Sequence, residues 1–420
     1  MPAITIDRRA DIRVLPHIAS LEDHNLAMTS TERHRTWVVL TTLTMVAVNL
    51  RAALSSIPTV ETEIQAATGW SNAAIGTLTT IPVVCMGILA LAVPRVARGI
   101  GRRRTVALAL AVLVVAMGSR LAAQVPIVLT ISVLLAGVGI ALAMGLVPTV
   151  VRAQVPDRVG LATGIWTGAM MTGAALGGAL TVPLAKWLGS WQMALAVWAI
   201  PALAGLIVWL AVEGLRDNPS VGAPPSASLR DMPWRSRPAW ALTAFLTINS
   251  IVFYTLLAWL APSFVDRGWT QEDAGFLFGV FTISQVAAAL VMPSIAERMR
   301  ARRTLFAAFI VVCSLSLIPV SASTASSVTV WVVILGFTLG GAFAMSLALL
   351  SEFAHDTHAS TRLTAMAFFV TYVLASVGPI VAGSLLDIGI SWQTLYLGIA
   401  VVLLTQLLTV IPLRRGTRIQ

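Results

Sequence analysis

From Trp37 to Val60 the chain is apolar or weakly polar at every position but one, and the exception is a full charge, Arg51. Eleven comparable runs follow, at 73–94, 104–123, 126–150, 160–184, 191–212, 239–262, 273–295, 304–322, 328–350, 362–385 and 392–412. Each is close to the ~20 residues that a helix needs to cross a bilayer core. The pattern therefore predicts an all-α membrane protein of twelve transmembrane helices. The long polar stretches are the first 35 residues and the segment Glu213 to Pro238, which is rich in Pro, Ser and Arg and reads as a linker.

The pattern also repeats. "GWSNAAIG" at Gly69 returns as "GWTQEDAG" at Gly268, and "PRVARGIGRRRT" at Pro94 returns as "PSIAERMRARRT" at Pro293, both 199 residues on. "SWQMAL" at Ser190 returns as "SWQTLY" at Ser391. Six helices copied into twelve give a tail at 1–35, a first half at 36–212, a linker at 213–238, a second half at 239–413 and a tail at 414–420. Two parallel six-helix halves related by an axis along the membrane normal describe the major facilitator fold, whose solute site lies near mid-membrane between the halves. Duplication by itself also fits a channel or a scaffold.

Composition sharpens the picture. The chain is 57% hydrophobic and 11% charged, against roughly 25% charged for soluble domains. Its net charge of +10 could point to nucleic acid, but the charge follows topology. With the N-terminus in the cytoplasm, 24 of the 28 Lys and Arg residues fall inside and one, Arg51, within a span. Only Arg120, Lys186 and Arg267 fall in outer loops. This bias predicts an inner-membrane protein with both termini cytoplasmic and no nucleic-acid partner. Residues 1–35 carry no small-residue cleavage site and read as a cytosolic tail, with Met28 an alternative start. Cys85 and Cys313 both lie in spans, so no disulfide framework is indicated.

The loop "ARGIGRRR" resembles the major facilitator loop signature of an acid followed by Gly-Arg-Arg/Lys, at Gly101, Arg102 and Arg103. The usual aspartate position holds Arg98, whereas the second copy has Glu297 there. These four residues, Gly101, Arg102, Arg103 and Glu297, are the candidate conformational loops; arginines there also serve simply to set topology. The stretches "NLRAALSSIPTV" at Asn49, "GVGIALAMGLVPTVV" at Gly137, "GIWTGAMMTGAALGGAL" at Gly164 and "LLAWLAPSFV" at Leu256 resemble the cyanate and 2-nitroimidazole transporter family within that superfamily. The likeness covers roughly residues 36 to 412. It implies movement of small anions or compact weak acids.

Arg51 is the central candidate. It lies 14 residues from Trp37, roughly 21 Å along a helix, in the outer half of a ~30 Å core. Keeping it there costs at least ~2.5–3.5 kcal/mol. No Asp or Glu falls near the middle of any span, and Glu61 and Glu63 are too far along a continuous helix to pair with it. It either snorkels to outer headgroups or faces a central cavity where an anionic solute is its partner. Ser55 shares its face at i+4. Asn49 points elsewhere and is expected to bond a neighbouring helix. Trp166, opening the fifth span, and Met170 at i+4 are further solute-contact candidates, as are Asn249, Tyr254, Gln285 and Tyr372 from the second half; each could instead bridge helices. Gly164/Gly168 and Gly173/Gly177 are spaced for close helix packing.

His355, Asp356 and His358 form a weak metal pattern and read as a loop. No nucleophile–base set and no phosphate loop appears, since "GGALTVPLAK" lacks the Gly-Lys-Ser/Thr ending. An enzyme, a cofactor, a bound metal and an ATP-driven pump are therefore not expected. The reading is a monomeric secondary transporter, partnered by the bilayer and a small anionic or weakly acidic solute. Its rivals are a multidrug exporter, which calls for a deep carboxylate, and a transporter-like sensor, which calls for an added signalling domain.

Overall fold

A computed structural model describes residues 30–154, 159–212, 229–298, 302–323, 327–352 and 357–411. Its regular elements are helical. Among the described residues, twelve helices are long and apolar enough to cross a membrane: Thr36–Thr68, Asn72–Ala90, Arg102–Ala122, Pro126–Leu146, Ala162–Leu188, Trp191–Ala211, Arg237–Val265, Gln271–Met292, Arg303–Ala322, Val328–Leu347, Thr361–Asp387 and Trp392–Val410. They are called here the first to twelfth spans.

The duplication is written into the turns. Gly69 and Gly268 both take a left-handed backbone, with φ of 68° and 92°, and so do Gly189 and Gly389, with φ of 66° and 87°. Only glycine adopts this without strain, so each pair ends a helix in the same way in both halves. A serine then opens the next helix in three of these turns. Ser71, Ser190 and Ser391 accept hydrogen bonds from the backbone N–H three residues on, at Ala74, Met193 and Thr394.

The first span is not one continuous helix. The helix Ser30–Ser55 stops, a single 3₁₀ turn follows at Pro58–Val60, and a short helix, Glu61–Thr68, completes the crossing. The apolar run ends at Val60, yet the span continues to Thr68 and carries Glu61 into the protein interior, 5% exposed. The break frees backbone carbonyls inside the bundle, and a buried cation takes one of them: Arg120 Nη2 donates to Ala53 O at 2.9 Å, and Nη1 to Ser56 Oγ at 3.4 Å.

This corrects the placing of Arg120 in an outer loop. It is 0% exposed, because the end of the third span tucks under the broken first span. Arg267 does lie in the loop after the seventh span, but is partly buried. It stacks on Phe264 at 4.0 Å and donates to Val320 O at 2.7 Å, and burial lowers its pKa from the ordinary arginine value. Asn49 donates to Pro201 O of the sixth span at 3.1 Å, as expected of an intramembrane amide.

The halves meet along the second and eleventh spans and along the fifth and eighth. A methyl group on Gly76 would lie 2.6 Å from Pro379 O, and one on Gly275 2.6 Å from Gly178 O, so backbone touches backbone there. These contacts lie toward the end of the bundle that carries the Gly69, Gly189, Gly268 and Gly389 turns, termed the distal end. Polar bonds reinforce it. Asp387 accepts from the N–H groups of Asn72 and Ala73 at 2.8 Å each, and Lys186 pairs with Glu272 at 2.9 Å; within the second half, Trp259 Nε1 donates to Pro379 O at 2.8 Å.

Candidate functional site

Arg51 lies in the last turns of the helix Ser30–Ser55, just before the break. It is 5% exposed and lines a cavity of about 40 Å³ between the halves, with Met171, Asn249, Ser250, Phe253, Tyr254, Gln285, Phe343 and Tyr372. Its guanidinium carbon lies 5.4 Å from the centre of the Phe253 ring and 5.7 Å from that of Tyr254. Its Nη1 donates to the Tyr254 hydroxyl at 3.3 Å, and its Nε has no partner. No carboxylate pairs with it among the described residues. Two aromatic faces and a neutral hydroxyl partly compensate the charge, and donor capacity is left over for an oxygen or a nitro group. A buried arginine facing a cavity between the halves is not reaching for headgroups, so the snorkelling alternative does not describe this geometry.

The aromatic frame holds itself in place. Phe253 and Tyr254 meet edge to face at 5.1 Å, Tyr254 meets Tyr372 at 6.3 Å, and Phe253 stacks over Phe281 at 6.5 Å. The Asn249 amide donates to Leu339 O at 3.2 Å, which fixes it across to the tenth span. The cavity is thus one positive pole in an aromatic and amide lining.

Of the residues expected to contact solute, the structure brings Arg51, Asn249, Tyr254, Gln285 and Tyr372 to this one cavity. Ser55 is buried nearby, but its hydroxyl donates to the Arg51 carbonyl at 3.1 Å. Trp166 and Met170 are buried in the core and do not line the cavity; Met171 does. Phe253, Ser250, Phe343 and Met171 were missed. Phe253 and Met171 sit beside named residues, and helical spacing alone does not say which neighbour turns inward. A second, wider cavity of about 440 Å³ opens between the first, fifth and eighth spans, lined by Thr44, Val48, Gly164, Gly168, Thr172 and Leu290 among others. Gly164 and Gly168, expected to pack tightly, line this space instead, whereas Gly173 and Gly177 do press against Val48 and Ser55 of the first span.

In the loop after the second span, Gly101 has φ of 88° and precedes the helix at Arg102. Arg102 is buried, and Arg103 Nη2 donates to Leu210 O at 2.7 Å, at the end of the sixth span. That is a cation closing a helix C-terminus within one half. The side chain of Glu297 and residues His355, Asp356 and His358 lie outside what the structure describes, either wholly or in their side chains.

A sequence model of the Major Facilitator Superfamily matches residues 39–360 and again 254–418. The chain is 28% identical over 366 residues to the 2-nitroimidazole transporter of Escherichia coli (strain K12), covering 87% of this chain and 92% of that protein. It is 29% identical over 354 residues to the cyanate transport protein CynX of the same organism, covering 83% and 90%. Among solved structures, a mutant of the nucleoside transporter NupG superposes with a TM-score of 0.73 at 14% identity, covering 89% of this chain and 99% of that one.

Proposed function

The chain belongs to the Major Facilitator Superfamily, a family of membrane transporters, and from that premise we propose that it moves a small anionic or weakly acidic solute across the inner membrane by alternating access. The cyanate-like or nitroimidazole-like class is supported by the names of its relatives. The observation that carries the reading is Arg51: a cation 5% exposed, in a cavity between the halves, without a carboxylate partner among the described residues. A guanidinium kept in such a place is compensated when an anion arrives. The absence of any acid from the cavity lining disfavours an exporter of organic cations. The small volume favours compact solutes, and the two rings beside Arg51 favour flat ones.

The test is binding of labelled cyanate and 2-nitroimidazole to purified wild type, Arg51→Lys and Arg51→Ala. Binding is expected to be lost in Arg51→Ala and weakened in Arg51→Lys, which keeps the charge but not the planar fork. Wild-type affinity in a folded Arg51→Ala protein would remove the claim. The arginine distribution supports cytoplasmic termini and an outward-facing distal end. A cysteine at Ala67, at that end, is expected to react with an impermeant thiol reagent outside intact cells; protection there, with reaction at Ser228→Cys in the linker, inverts the orientation.

A further inference from the structure

The distal closure between the halves contains one carboxylate unlike the others. Glu61 opens the short helix Glu61–Thr68, is 5% exposed, and has no hydrogen-bond partner at Oε2. It lines a cavity of about 30 Å³, space for about one or two waters. Asp266, from the other half, lines the same cavity.

The acids around it all have donors. Asp266 Oδ2 accepts from Trp392 Nε1 at 3.0 Å, and Asp387 accepts from Asn72 and Ala73. Glu63 Oε2 accepts from Thr62 Oγ1 at 2.9 Å and from Gln271 Nε2 at 3.0 Å. Glu272 pairs with Lys186, and Asp273 accepts from Thr270 Oγ1 at 2.7 Å. No Lys, Arg or His lines the cavity. Arg267, next to Asp266 in the chain, turns away to Ser263, Val320 and Ser321. Glu61 therefore faces a like charge and no cation, in a pocket assembled from both halves.

We propose that Glu61 is a proton-binding site of the distal gate, protonated when the halves close there and ionised when they part. Burying an ionised carboxylate without a donor is costly, and a second carboxylate in the same pocket adds repulsion. One proton on Glu61 removes both costs. Parting the halves hydrates the group and separates it from Asp266, so the proton leaves to the distal solvent. The closed gate binds more protons than the open one. Closure is therefore complete at low pH and is lost as pH rises through the titration of Glu61 in the closed state. This supplies a proton-linked step that the central cavity, with Arg51 as its charged group, does not.

The test reads the gate without solute, so its failure and that of the Arg51 reading are separable. Cysteines at Ala67 and Ile388, exposed and on opposite halves of the distal mouth, carry spin labels in the full chain in lipid nanodiscs. The native Cys85 and Cys313 are buried. In potassium buffer the wild-type inter-label distance is expected to lengthen as pH is raised. Glu61→Gln, a neutral isostere, is expected to stay closed at every pH. Asp266→Asn is expected to move the midpoint lower by about one pH unit, by removing the like charge. A wild-type distance independent of pH, or an unchanged pH response in Glu61→Gln, overturns the proposal. Closure driven by replacing potassium with sodium at fixed pH, and lost in Glu61→Gln, overturns it in favour of a metal-cation site.

Discussion

Arg51 and Arg120 are both guanidinium groups buried in the bundle, and neither has a carboxylate partner among the described residues, yet they do opposite things. Arg120 sits under the break in the first span and donates to Ala53 O and Ser56 Oγ. It satisfies a helix end that has no water to turn to. Arg51 lies beside that break, on the cavity side, and donates to the Tyr254 hydroxyl. One cation completes the fold, and the other is left incomplete by it. A buried charge without an acid partner is therefore not by itself a sign of function; what it donates to decides.

The largest expected effect is on stability, and it has opposite signs at the two sites. Arg120→Met leaves the Ala53 carbonyl unpaired in a dry interior and is expected to lower unfolding stability by about 1–3 kcal/mol. Arg51→Met replaces a poorly compensated ion by an apolar chain of similar length. It is expected to leave stability unchanged or raise it by about 1–4 kcal/mol, while solute binding is lost. Thermal unfolding in detergent reads both, and equal losses at the two sites would break the comparison.

A smaller effect sharpens the Arg51 side. Tyr254→Phe keeps the ring beside the guanidinium and removes its hydroxyl partner, so affinity is expected to change by about fivefold, ~1 kcal/mol. Smallest is Ser55→Ala. Its hydroxyl donates to the Arg51 carbonyl, so the solute affinity is expected to move by about twofold at most. A tenfold loss there would mean that Ser55 turns into the cavity when solute binds.

Much of this was open to a reader of the sequence alone. The fold class was, because lipid solvent demands long apolar helices and hydropathy records them directly. The duplication was, because left-handed glycines and hydroxyl caps at turns are local requirements and recur at offsets of 199 to 201 residues. Arg51 was singled out for its cost, and Tyr254, Gln285, Asn249 and Tyr372 for being polar in apolar helices. Phe253, Phe343 and Met171 were not, because an apolar side chain in an apolar helix carries no signal of which way it faces. Glu61 was set aside as too far along a continuous helix to pair with Arg51. The 3₁₀ turn at Pro58–Val60 carries the chain onward and buries it.

What the sequence by itself determined is what depends on composition and on neighbours along the chain: twelve apolar helices, two copies of six, and the presence of a costly intramembrane cation. What only the tertiary structure decided is which charges are satisfied. Arg120 and Arg51 are both arginines set in largely apolar sequence, and they separate only when residues 53 and 56 are seen to meet one, and residues 253 and 254 the other. The physical reason is that the cost of burying a charge is local, whereas its compensation comes from groups tens to hundreds of residues away that only packing brings within hydrogen-bond reach.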